Sequence, residues 1–145
     1  KPALEKPTPA KPKPEPKKPT KSEALILLEA LQREARFLDF MQESLDAYDD
    51  AQIGAAVRDV HRQAREVLKR MFDFGPVVDQ EEGSTVEVPA GYDPGIFRVV
   101  GNVGEPPLTG KLTHHGWKAN RCDLPSWSGS ADAAFVVAPA EVEVG

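Results

Sequence analysis

Tyr48–Pro76 reads YDDAQIGAAVRDVHRQAREVLKRMFDFGP. The fold class turns on this stretch, because the pattern of the chain changes at its end. Asp49 stands as an N-cap with Gln52 three residues on, a capping box, and Tyr48 and Ile53 hold the flanking staple positions. Ile53, Ala56, Val57, Val60, Ala64, Val67, Leu68 and Met71 then recur at helical spacing and predict one buried face. Phe74-Gly75-Pro76 predicts the stop, with glycine just past the helix and proline beyond it.

Upstream, Ser22 can cap EALILLEALQREARFLDFMQ as a first helix. Ala24, Leu27, Leu28, Leu31, Ala35 and Leu38 make its stripe, while Leu25, Ile26, Phe37 and Phe40 lie partly off it. A helix apolar beyond one face has two neighbours, here the second helix plus the sheet, or a second copy in a homodimer. The connection ESLDAY is short, so residues 22–74 are expected to form an antiparallel helical hairpin. Downstream, Ser84–Pro89 alternates with period two, and Phe97–Val103, Lys111–Ala119 and Ala134–Val144 follow between Gly- and Pro-bearing turns. Helices followed by short strands predict an α+β fold: the helical hairpin, then a small, mostly antiparallel β-sheet over 84–144.

Ahead of the hairpin, residues 1–21 hold seven prolines, seven lysines and two glutamates, net +5, which leaves −10 on the other 124 residues of a chain whose net charge is −5. Leu4 is the only large apolar residue of that stretch. Proline fixes φ and removes donors, so a disordered Lys/Pro-rich linker is expected, dispensable for folding of a single domain over 22–145. It has no Arg and no aromatic to grip phosphate or stack on bases, and the acidic domain repels a polyanion, so no nucleic-acid partner is expected. No run reaches the ~20 apolar residues of a membrane span. The single cysteine, Cys122, permits no intrachain disulfide and suits a reducing compartment. A cytoplasmic location is expected, with membrane association only through a segment ahead of Lys1; a spacer joined to nothing, in a chain without an initial Met, predicts such a segment.

Few residues tempt a chemical reading. Asp46, Asp49 and Asp50 lack the alternation and glycine of a calcium loop and read as capping residues. His61 stands alone on the second helix, and Arg58, Arg62, Arg65, Lys69 and Arg70 read as a solvated face. Gly101–Pro106, GNVGEP, lacks the spacing of a phosphate-binding loop. Gly110–Asn120, GKLTHHGWKAN, is the most suggestive segment. On a strand, neighbours point to opposite faces, so His114 and His115 cannot together hold one ion, and Cys122 and Asp123 make weak further ligands. Trp117 breaks the alternation unless Gly116 marks a bulge or turn. The histidines are therefore read as structural or edge-strand residues, with no metal, cofactor or catalytic residue expected.

SEALILLEALQREARFLDFMQE, YDDAQIGAAVRDVH, GNVGEPPLTGKLTHHGWKA and VVAPAEVEV, in that order over roughly residues 22–144, resemble an uncharacterised bacterial family, the domain of unknown function 2760. The resemblance implies no activity, catalytic residue or cofactor. It does imply a gene placed beside DnaK-type chaperone homologues, and an apolar N-terminal stretch ahead of a Pro/Ala/Lys linker. A fainter resemblance joins Tyr92-Asp93-Pro94, Gly116-Trp117 and Pro139-Ala140 to the β-wing of the GrpE exchange factor, although the gap between Trp117 and Pro139 is longer than in that family and the paired helices are shorter. The expectation is a non-enzymatic protein-interaction or adaptor domain whose partner is a protein, a DnaK-type chaperone being favoured. Trp117, Trp127, His114 and His115 are its expected partner-facing residues, because aromatics in a Gly/Pro/Ser-rich region have little core to hide in. The alternative is a small-molecule-binding or catalytic domain using the His114/His115/Trp117 region.

Overall fold

A computed structural model describes residues 18–145; most of the expected disordered linker lies outside the described residues. In chain order the elements are α1 (Glu23–Ala35), α2 (Phe37–Gln42), α3 (Asp50–Met71), β1 (Phe72–Gly75), β2 (Thr85–Val88), β3 (Leu108–Lys111), β4 (Lys118–Cys122) and a 3-10 turn (Ala131–Phe135). The class is α+β, as expected, with the strands in two antiparallel pairs, β1 with β4 and β2 with β3.

The capping box forms as read: Gln52 N donates to Asp49 Oδ1 at 2.8 Å and Asp49 N to Gln52 Oε1 at 3.0 Å. The helix stop does not. α3 ends at Met71 because Phe72 turns extended and enters β1, so Phe74-Gly75-Pro76 terminates a strand rather than a helix. Arg121 of β4 takes over the capping: its Nη2 donates to the carbonyls of Lys69 and Arg70 at 2.9 and 3.0 Å. A cation there satisfies the last-turn carbonyls and complements the helix dipole. The first helix is also interrupted. Arg36 adopts a left-handed conformation, φ 52°, and its guanidinium pairs with Asp39 at 3.0 Å, separating α1 from α2.

Ala30 and Leu31 of α1 meet Val67 and Met71 of α3 in the main buried cluster, with Leu27, Phe37, Ala64, Leu68, Phe72 and Leu124 packed around it. Only the C-terminal half of the predicted α3 stripe is covered in this way; Val57 stays exposed, with Met41, Leu45 and Tyr48. Arg70 ties the same helices from outside, donating to both carboxylate oxygens of Glu34 at 2.8 and 2.5 Å. These bonds hold the Glu34 carboxyl below its ordinary value of 4.5. A lowered folded value means the pair stabilises the fold above pH 4.5 and is lost as pH falls through the lowered value. Glu34→Gln is expected to melt slightly lower at neutral pH and to show a shallower acid-side fall in Tm. An acid limb of unchanged slope would mean that the pair contributes nothing.

Two further predicted strands are absent. Phe97–Val103 carries β-branched residues but lies in no ladder; β2 and β3 pair only with each other, Thr85 opposite Lys111 and Val88 opposite Leu108. Strand preference is a preference for packing a side chain against neighbours, and Phe97 and Val99 are half-buried here without a ladder. In Ala134–Val144, Ser130 caps the 3-10 turn by accepting from Ala133 N at 3.2 Å, and the rest runs as coil outside any ladder, Pro139-Ala140 included.

Lys21, counted with the linker in the sequence, belongs to the fold. It is 8% exposed; its Nζ bonds Glu29 Oε2 at 2.7 Å and the Val136 carbonyl at 2.6 Å. It thereby ties the start of α1 to the C-terminal segment.

Candidate functional site

Lys111–Ala119 was expected to be one strand. Only its two ends are: β3 finishes at Lys111 and β4 starts at Lys118. The residues between form a loop, and the rule that neighbouring side chains point apart does not govern them. Gly116 supplies the turn, with φ +75°. A left-handed residue reverses the local direction of the chain, which glycine does without steric cost. The rings of His114 and His115 consequently stack, with centroids 4.9 Å apart and planes 21° apart. Trp117 meets His115 edge-on at 4.8 Å.

A second segment comes against this loop. His115 O accepts from Val77 N and Val78 N, both at 3.0 Å, Gly83 N donates to Leu112 O at 2.6 Å, and Leu112 N donates to Ser84 O at 2.8 Å. This stitching brings Glu82 to the histidines. Its Oε1 accepts from His115 N at 3.2 Å and lies 3.8 Å from His115 Nε2. One ligand atom from each of Glu82, His114 and His115 falls within 4.8 Å of the others. Sequence reading missed Glu82, which lies more than thirty residues upstream with no motif to mark it. It had named Cys122 and Asp123 instead; Cys122 ends β4 opposite Phe72, and Asp123 pairs with Arg121 at 3.2 Å.

Both histidines also line an open cavity of about 680 Å³. Its walls are about as polar as apolar: Val86 and Val88 of β2, Leu108 of β3 and Phe97 and Val99 of the unpaired segment share it with Arg98, Asn102, Lys111 and Thr113. The expected partner-facing residues are thus divided. His114, His115 and Trp117 form one cluster, and Trp117 is 65% exposed. Trp127 is partly buried elsewhere, under Lys21 Nζ at 5.7 Å and so close to Gly129 that a Cβ there would stand 2.7 Å from its ring. That placement suits a residue covering the fold. His61 is exposed on α3, as are Arg58, Arg62, Arg65, Lys69 and Arg70. No helix among the described residues is long and apolar enough to cross a membrane.

The family model described as "Domain of unknown function (DUF2760)" matches residues 20–143. The chain belongs to this family. The DUF2760 match begins one residue before Lys21 and runs through the coil after the 3-10 turn, so it takes in both partners of the Lys21–Val136 tie. No curated protein and no solved structure matches the chain.

Proposed function

We propose that this DUF2760 domain is a non-enzymatic protein-interaction domain. One observation carries the reading: among the described residues thirteen large apolar side chains are exposed, against eight buried hydrophobic residues of which three are alanines. Phe135, Val142 and Val144 are 84%, 82% and 90% exposed, beside Trp117 at 65%. Scattered apolar exposure is ordinary, but a set of this size next to so small a core suits a surface that a partner covers. Trp117 is the residue expected to contribute most, since large aromatics at an interface cost about 2 kcal/mol or more when truncated.

A DnaK-type chaperone is the favoured partner, on the strength of the family resemblance. Calorimetric titration of the full chain against a purified DnaK-type chaperone tests that choice, and sedimentation at increasing concentration tests self-association. Trp117→Ala is expected to leave Tm almost unchanged while weakening capture by about thirtyfold, the equivalent of 2 kcal/mol. A chain that stays monomeric and binds no chaperone would remove the reading.

A second reading has its own support. An open cavity of about 680 Å³ with mixed polar and apolar walls and two histidines is within the size range of small-molecule sites. Fragment screening by ligand-detected NMR, with Val88→Trp filling the cavity as control, separates it from the first.

A further inference from the structure

His115 Nδ1 lies against the Gly116 carbonyl. A carbonyl only accepts, so Nδ1 carries the hydrogen and Nε2 keeps its lone pair. Nε2 is also the ring atom that faces Glu82 Oε1, at 3.8 Å. A lone pair and a carboxylate facing each other at this distance form a pair of donors that a metal ion between them would join. One imidazole nitrogen donating to a backbone carbonyl while the other faces outward is the usual arrangement of a metal-ligating histidine. His114 stands beside it, with Nδ1 accepting from Gly116 N at 3.0 Å.

We infer that Glu82, His114 and His115 bind a divalent transition-metal ion of the zinc class. Two imidazoles and a carboxylate are the donors such borderline ions take, and magnesium or calcium would require more oxygen ligands. With metal–ligand bonds of about 2.1 Å, ligand atoms around one zinc stand roughly 3.3 Å apart. The present spread, within 4.8 Å, therefore closes by at most about 1.5 Å on binding. Glu82 and His114 are exposed and can rotate inward. His114 exchanges one neutral hydrogen bond, from the Gly116 amide, for a coordinate bond. The bound ion joins the turn carrying Glu82 to the loop carrying the histidines, at the wall of the cavity. This site goes beyond the protein-interaction reading and stands or falls separately from it.

The test uses the full chain, stripped with chelator and titrated with zinc chloride by calorimetry. One ion per chain is expected, and zinc at a hundredfold excess over Kd should raise Tm by several degrees. Glu82→Gln keeps an oxygen for the His115 amide, so the loop holds. Together with His114→Ala it should weaken zinc binding by at least the about 10–100-fold that losing even an outer-shell partner costs. His61→Ala, Cys122→Ser and magnesium chloride are controls expected to change nothing. Cobalt(II) on the unmutated chain gives a readout independent of any variant: visible bands of a nitrogen/oxygen site without thiolate charge transfer, and quenching of fluorescence that Trp117→Phe diminishes. Three results would each overturn the site: no saturable zinc binding, binding that survives Glu82→Gln with His114→Ala, or binding lost with Cys122→Ser.

Discussion

Gly116→Ala is expected to lower stability by about 3 kcal/mol, from two separable costs. The first is conformational. Gly116 sits at φ +75°, where an L residue with a Cβ is disfavoured by about 1–2 kcal/mol. The second is steric. A Cβ there would stand 2.8 Å from Val77 Cγ2 and 2.9 Å from Val77 Cβ, and forcing a methyl into such a contact costs roughly 1–3 kcal/mol. Val77 cannot retreat freely, because its own N–H is bonded to the His115 carbonyl. For a domain of this length the sum corresponds to a fall in Tm of roughly 10 °C. The double variant Gly116→Ala with Val77→Ala separates the terms: it should recover the contact cost and leave the backbone cost. A single variant melting within a degree or two of the parent would mean that the loop does not take this turn, and the stacked histidines would go with it.

Lys21→Met is expected to cost about 2–3 kcal/mol, read as a drop in Tm of about 6–12 °C. Methionine keeps most of the volume, so the loss is electrostatic. Lys21 satisfies Glu29 and the Val136 carbonyl together, and its own side chain is almost wholly buried. Removing one member of a fully buried pair costs about 3–5 kcal/mol; Glu29 keeps partial contact with water, which places the expectation below that range. The same tie sets Lys21 apart from the linker expected over residues 1–21. A chain starting at Ser22 is expected to melt several degrees below one starting at Lys18. Equal melting temperatures would show that Lys21 adds nothing to the fold.

Whatever depended on neighbours in sequence was legible. Asp49 and Gln52 are three residues apart, and the capping box needs only that spacing. The strand at Thr85–Val88 announced itself by alternation, and Gly116 was correctly suspected of a turn. Boundaries were less legible. Arg36 breaks the first helix although arginine favours helices, because its αL geometry is held by Asp39 and by the Gln32 and Leu31 carbonyls. Phe97–Val103 carries strand-forming residues and no ladder, since a ladder needs a partner strand brought alongside by the rest of the fold, which spacing along the sequence does not encode.

The candidate site was half legible. His114, His115 and Trp117 drew attention by their chemistry, and the reasoning about them failed on one premise, that the segment was a strand. Glu82 could not have been found. Nothing in its surroundings sets it apart from Glu81 or Glu87, and it reaches the histidines only because the Val77–Ser84 turn is bonded to the Leu112–His115 loop.

The sequence by itself determined the helical hairpin, the change to short strands after it, the charge division between the N-terminal stretch and the rest, and the family. The first three are encoded in composition or in periods of two to four residues, where one turn of backbone brings the relevant groups together; the family rests on the resemblance of four segments in order and on the match over residues 20–143. Only the tertiary structure decided that Lys21 is a buried clasp, that Arg121 caps α3 from 51 residues away, and that Glu82 faces two stacked histidines. In these, a polar group finds its partner across a long stretch of chain, and the pairing is fixed by how α1, α3 and the two β-pairs pack against one another.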